Sequence, residues 1–324
     1  MIARRLLLLC ALVLGARADA LSAQTGGRIP TIGIVTLTAG SDAGIIKSFR
    51  AGLQRLGYIE SQNVLIELRS ADGKAERLPA LAAELVRLKP DVIVTGGGPQ
   101  VRAVAQATSA VPIIVLFHET DPIIAQLIQS YGRPGGNVTG IDGREVEVAG
   151  KRIELVREVF PSVTQVAVLW NAYNRAELEE LKSAARSLGL ALHLIEVNAP
   201  YDFDKAFTDA RRAHAGAAIV LLSPQFYVRQ AQLSAAALRA KMPTFHQKEE
   251  LVRAGGLIGY GTSFDETWGR AAYFVDRILK GTLPRELPVE QAATLRLTVN
   301  LKTARELGVA VPQSILLRAD EVIR

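Results

Sequence analysis

Asp91–Thr108 reads DVIVTGGGPQVRAVAQAT, and its reading decides the fold. An apolar, β-branched run passes through Gly96, Gly97 and Gly98 into a segment that starts as a helix at Pro99. A strand that turns directly into a helix is the repeating unit of a parallel α/β sheet. Outward from it, similar runs alternate with helix-period segments: 31–38, 63–70, 91–96 and 112–118, then 165–171, 191–198, 216–223, 242–247 and 255–262. The runs are nearly continuous rather than alternating in polarity, which suits parallel strands covered on both faces. The pattern predicts an α/β protein of the doubly wound, Rossmann-like kind.

The chain states the pattern twice. FRAGLQRLGYIESQNVLIELRS (49–70) is a helix, a Leu-Gly stop and a strand, and so is LKSAARSLGLALHLIEVN (181–198). VRAVAQATSAVPIIVLFHE (101–119) answers in the same way to VRQAQLSAAALRAKMPTFHQKEE (228–250). Gly57 and Gly189 stand where a helix closes on a left-handed residue. A register that returns about 130 residues later favours two similar lobes over one long sheet. The expected division gives residues 29–140 with 263–287 to an N-terminal lobe and 141–262 with 288–324 to a C-terminal lobe. The turn-rich YGRPGGNVTGIDG (131–143) is the expected first crossover, with further crossings near 259–263 and between 287 and 298.

Open parallel sheets bind ligands outside the carboxyl ends of their strands. That rule alone selects Thr38, Ser41, Asp42, Gly97, Gly98, Gln100, His118 and Asp121 in the first lobe. In the second it selects Tyr173, Asn174, Phe226, Tyr227, His246 and Glu249, with Asp142 at the crossover. Tyr173, Phe226 and Tyr227 are placed to cover an apolar body, or, for Phe226, to pack under a loop. Asp121 and Glu249 are placed to meet an amino group, although Asp121 before Pro122 also reads as a helix cap. His118 and His246 occupy matching places and read equally as hydrogen-bonded loop histidines.

Catalytic patterns fail on spacing. A dinucleotide loop requires a glycine where Val101 stands, and neither GGGPQV nor GYGTSF supplies the lysine of a phosphate loop. His118, His193, His214 and His246 have no histidine or cysteine partner at metal-ligand spacing, and no Gly-x-Ser-x-Gly elbow exists. No cofactor and no metal are therefore expected. The glycines permit close backbone approach, and the helix start behind them leaves outward N–H groups and a positive dipole end. Without a lysine, a singly charged carboxylate suits that loop better than a triphosphate. A bare tight turn is the other reading of the same residues.

Arg4 and Arg5, the apolar run 6–15 and Ala18-Asp19-Ala20 form the layout of a secretory signal peptide spanning residues 1–20. Its removal would leave 304 residues, a formal charge of +4 in place of +6, and no cysteine, since Cys10 is the only one. An exported chain without cysteine fits a bacterial periplasm. Basic residues are interspersed with acidic ones, as in KRIELVRE and RAELEELK, so nucleic acid is not an expected partner. No later apolar run reaches membrane-spanning length.

DPIIAQLIQSYGRPGGNVTGI (121–141), GGLIGYGTSFDETWGRAAYFVDRILKGTLPRELPVEQ (255–291) and LRLTVNLKTARELGVAVPQSILLRADEVI (295–323) resemble the ABC-transporter substrate-binding protein family, in the branch related to tryptophan- and tyrosine-binding members. The resemblance covers about residues 29–324 and departs at FHETDP (117–122) and NAYN (171–174). It implies a type I periplasmic-binding fold, two lobes joined by a hinge. It also implies a non-enzymatic, monomeric receptor that closes on a small molecule and presents it to an ABC permease and its ATPase. The glycine loop would cradle the ligand's carboxylate. An exported α/β enzyme and a ligand-sensing module for a signalling partner are the alternatives.

Overall fold

The computed structural model describes residues 28–37, 43–117 and 126–324. The signal-peptide segment, Thr38, Ser41, Asp42, His118 and Asp121 lie outside the described residues.

In the first half the strands are β1 (Thr31–Thr36), β2 (Leu65–Ser70), β3 (Val92–Gly96), β4 (Ile113–Phe117) and β5 (Val138–Asp142). The second half has β6 (Gln165–Trp170), β7 (Ala191–Glu196), β8 (Ala217–Val220), β9 (Thr244–His246) and β10 (Ile258–Thr262). β11 (Glu290–Gln291), β12 (Leu295–Asn300) and β13 (Glu321–Ile323) follow. They form two sheets, ordered β11-β5-β4-β3-β1-β2 and β13-β12-β10-β9-β8-β6-β7. Within these, β2-β1-β3-β4-β5 and β7-β6-β8-β9-β10 have the same order, so the repeat read in the sequence is a repeat of topology. Pairing is parallel throughout except between β10 and β12.

The central apolar runs are explained by burial on both faces, whereas the edge strands β2 and β7 are only partly covered. Ile32, Ile34, Val92 and Val94 point to one side of the first sheet, under the helices Ala43–Arg55 and Phe264–Leu279. Val35, Ile93, Ile113 and Val115 point to the other, under Leu78–Arg87 and Gly98–Ala107. The second sheet repeats this, with Val166, Val168 and Ile219 on one side and Ala167, Leu169 and Val220 on the other.

β5 was not legible, because the expected crossover contains it. Gly140 sits mid-strand opposite Val115, and a Cβ there would lie 1.9 Å from the Val115 carbonyl, so only glycine permits the pairing. Ile141 and Asp142 thus belong to the first sheet. So do Glu290 and Gln291, which pair with Ile141 and Asp142, so the expected exchange at residue 287/288 moves to the segment between Gln291 and Leu295. The other two crossings follow Asp142 and Thr262. After Thr262 the helix Phe264–Leu279 returns to the first lobe, where Gly52 and Gly269 let it approach Ala43–Arg55 closely: a Cβ on Gly52 would lie 2.4 Å from the Gly269 carbonyl.

The crossings are bonded to one another. The Ala292 N–H donates to the Asp142 carbonyl at 2.7 Å, and the Thr262 hydroxyl donates to the Gly143 carbonyl. Asp142, fully buried, accepts from the Tyr131 hydroxyl at 2.5 Å and from the Arg144 N–H at 3.0 Å.

Candidate ligand site between the lobes

In both sheets the strand order reverses beside the first strand of the repeat, between β1 and β3 and between β6 and β8. Such switch points open a crevice at the carboxyl edge. A cavity of about 760 Å3 is walled by both crevices. The first lobe contributes Thr36 and Leu37 past β1 and Gly96–Gln100 past β3, and the second contributes Ala172–Glu177 past β6 and Leu222–Pro224 past β8. Its size suits a small organic molecule.

The glycine loop is shaped for close approach. Gly97 has φ +83° and ψ 142°, a conformation that residues with side chains rarely adopt. A Cβ on it would come within 3.0 Å of Gln100 Oε1. The helix Gly98–Ala107 starts behind it with Pro99 in its first turn, and the first N–H to find a helical acceptor is that of Val101, on the Gly97 carbonyl at 3.0 Å. The Gly97 N–H itself donates to the Leu116 carbonyl at 3.3 Å and so serves the sheet. That leaves the N–H groups of Gly98 and Gln100 for an anion. Two side-chain oxygens on the same wall, Thr36 Oγ1 and Gln100 Oε1, are buried without a hydrogen-bond partner among the described residues.

Sequence-selected residues divide in two. Gly97, Gly98, Gln100, Tyr173, Asn174 and Tyr227 line the cavity. Asn174 does so with its amide committed, donating to the Leu222 carbonyl at 2.7 Å and accepting from the Asn171 N–H at 3.3 Å, which ties the ends of β6 and β8 together. Phe226 is not on the wall: it is fully buried in the second lobe, edge-on to Phe203 with ring centroids 5.5 Å apart. His246 is also fully buried, 2.8 Å from the Thr244 hydroxyl, and desolvation lowers its pKa to about 3, so the ring is neutral. Glu249 lies off the wall, accepting from the Ser263 hydroxyl at 3.3 Å, and Asp142 serves the crossing.

Sequence reasoning missed a buried charge network that forms the cavity's second-lobe wall. Arg152 donates to Glu145 Oε2 at 3.1 Å, to the Glu145 and Tyr260 carbonyls at 3.1 Å each, and to Glu177. Lys248 bridges Glu145 Oε1, at 2.5 Å, and the Thr262 carbonyl, at 2.7 Å, and its ammonium lies 4.3 Å from the centre of the Phe264 ring. Gln247 donates to Glu177 and accepts from the Leu222 N–H at 2.5 Å. Lys248 thereby joins the first crossing, through Glu145, to the second, through Thr262. The available signal was a charge on an apolar stripe. Arg152 falls among Ala149, Ile153 and Val156 on one helix face, and Glu177 beside Leu178 and Leu181 on another.

Burial pushes the Glu177 carboxyl up to about 7, against the attraction of Arg152, and Glu145 adds to the rise. Burial does the same to Glu250, also to about 7. Between pH 4.5 and 7 the folded protein therefore holds a proton on Glu177 that the unfolded chain has released, so this group's contribution to stability falls as pH rises through that window. His246 acts oppositely, its contribution growing from pH 3 to 6.5. Melting curves of wild type and Glu177→Gln from pH 4.5 to 7.5 isolate the first effect. The variant is expected to gain on wild type as pH rises, and parallel curves would place the carboxylate in water.

Two α/β lobes of one topology, facing each other across a cavity at their switch points, define a two-lobed binding protein. The chain belongs to the ABC transporter substrate binding protein family, whose model matches residues 32–323. It is 24% identical over 267 residues to a tyrosine-binding protein of Clostridioides difficile, covering 81% of this chain and 75% of the relative. Among solved structures, an ABC domain from Streptococcus pneumonia in complex with L-Trp superposes with a TM-score of 0.82 at 25% identity, covering 91% of this chain and all of that one. A conserved domain protein from Vibrio cholerae gives 0.81 at 25% identity, with the same coverage. Among the described residues no helix is long and apolar enough to cross a membrane, and no group of His, Cys, Asp and Glu is placed to hold a metal ion.

Proposed function

We propose that this protein is the periplasmic receptor of an ABC importer. Exported by a signal peptide cleaved after Ala20, it binds as a monomer a small carboxylate-bearing ligand, an amino acid or related organic acid. It hands the ligand unchanged to a permease driven by an ATPase. One observation carries the reading: the cavity has one wall from each lobe, and the first-lobe wall ends in a helix N-terminus with the Gly98 and Gln100 donors left over. The carboxylate is held there, while Val35, Leu37, Leu78, Phe264, Trp268 and Tyr227 cover the apolar remainder. The tyrosine and L-Trp of the relatives' names support a ligand of this class.

A ligand that touches both lobes binds the closed form selectively and shifts its population by that difference in affinity. The test is mass spectrometry of small molecules released from denatured purified protein, followed by small-angle scattering with and without the compound found. A smaller radius of gyration on binding, with the compound recovered intact, is expected. An unchanged radius would argue for a rigid protein, and conversion of the compound would make it an enzyme.

A further inference from the structure

Five charged side chains among the described residues line the cavity: Arg102, Glu145, Arg175, Glu177 and Lys248. The two carboxylates are already answered, Glu145 by Lys248 and by Arg152, and Glu177 by Arg152, which stands behind the wall. Arg102 and Arg175 have no acidic partner among the described residues. They come from opposite lobes. Arg102 follows Gly98 by four positions on the helix Gly98–Ala107, hence on the same face, and helical side chains lean toward the N-terminus. Arg175 is the first residue of the helix Arg175–Ser187.

The cavity thus carries two unanswered guanidinium charges besides the positive end of the helix behind the glycine loop. A single carboxylate on Gly98 and Gln100 would leave most of that charge uncompensated. Like charges in a drying cleft repel more strongly as the local dielectric falls. A guanidinium presents a planar fork of donors suited to carboxylate or phosphate.

We infer that the ligand carries a second anionic group, a carboxylate or a phosphate, taken by Arg102 from the first lobe and Arg175 from the second. This inference rests on the cavity being the ligand site and narrows the ligand to dianions. The second anion becomes a bridge between the lobes, so the closed form is favourable only when it is present.

The test is calorimetry, at low and high salt, of wild type, Arg102→Gln, Arg175→Gln and the double variant. The probes are acids paired by body: butyrate with glutarate, 3-phenylpropionate with phenylsuccinate, and benzoate with phthalate, with phenyl phosphate as the phosphate arm. Both arginines are exposed, and circular dichroism confirms that the variants fold. In at least one set the dianion is expected to bind wild type at least tenfold tighter than the monoanion. Each single variant should lose about tenfold on the dianion and less than twofold on the monoanion, and high salt should narrow the gap. Equal affinity within every set, or a dianion affinity indifferent to both arginines, overturns the inference and leaves the carboxylate reading standing. Silence from every acid of either charge overturns both.

Discussion

Above pH 7, where the Glu177 carboxyl is ionised, replacing Arg152 by methionine is expected to destabilise the protein by about 3–5 kcal/mol, the usual cost of removing one partner from a buried ion pair. The guanidinium, 1% exposed, is the shared donor to Glu145 and Glu177, whose side chains are 2% and 6% exposed. Without it both carboxylates keep their burial and lose a counter-ion. Lys248 still holds Glu145, but Glu177 is left with the Gln247 amide alone. Loss should appear as a lower melting temperature and a lower urea midpoint. It should be smaller in the double variant Arg152→Met, Glu177→Gln, where no charge is stranded. A single-variant loss below about 1 kcal/mol, within the range of exposed ion pairs, would show that water reaches these groups.

Gly97→Val is expected to weaken ligand affinity by about ten- to a hundredfold, the equivalent of one hydrogen bond to a charged group. The effect does not come from the Gly97 N–H, which the Leu116 carbonyl already accepts. A β-branched residue rarely adopts φ +83°, and its Cβ meets the Gln100 side-chain oxygen at 3.0 Å. The loop must reroute, and rerouting turns the Gly98 and Gln100 donors away from the cavity. Calorimetry with the compound released from wild type measures the loss, and a melting curve separates it from unfolding. Gly97→Ala should show a smaller loss, since alanine carries the Cβ without the branch. A valine variant that folds and binds like wild type would reduce the glycines to a turn.

Legibility followed from where each element gets its stability. Strands covered on both faces announce themselves as apolar runs, and all the runs read that way from Thr31 to Thr262 are strands in the structure. β5 did not, because Thr139, Gly140 and Asp142 break its run: the threonine hydroxyl donates to the Leu287 carbonyl, and Asp142 serves the crossing. Within the site, the glycine loop was visible from spacing, since its conformation is local. The charge network was not. Its Glu145–Lys248 contact joins residues 103 positions apart, and no pattern in either segment encodes the other. Phe226 and His246 were placed beside the right strand ends, but the helix Pro224–Val228 and the strand β9 bury their side chains in the lobe instead of the cleft.

The helix Phe264–Leu279 has a consequence for the order in which the chain can fold. Strands β1 to β5 of the first lobe are complete by Asp142, yet the cluster holding Ile32, Phe49 and Val94 is covered in part by Trp268, Phe274 and Val275 from that helix. Until those residues have been synthesised, that face of the first sheet is covered by the helix Ala43–Arg55 alone. The second sheet waits as well, since β10 gains its neighbour β12, and β12 its neighbour β13, only after Leu295. The first lobe therefore waits on contacts more than 200 positions away in sequence, such as Tyr58 with Asp276 and Ser48 with Asp265. Contacts of such long range slow folding and keep a chain open for longer. For the exported receptor proposed above, such a delay would keep the polypeptide threadable until nearly all of it has been made.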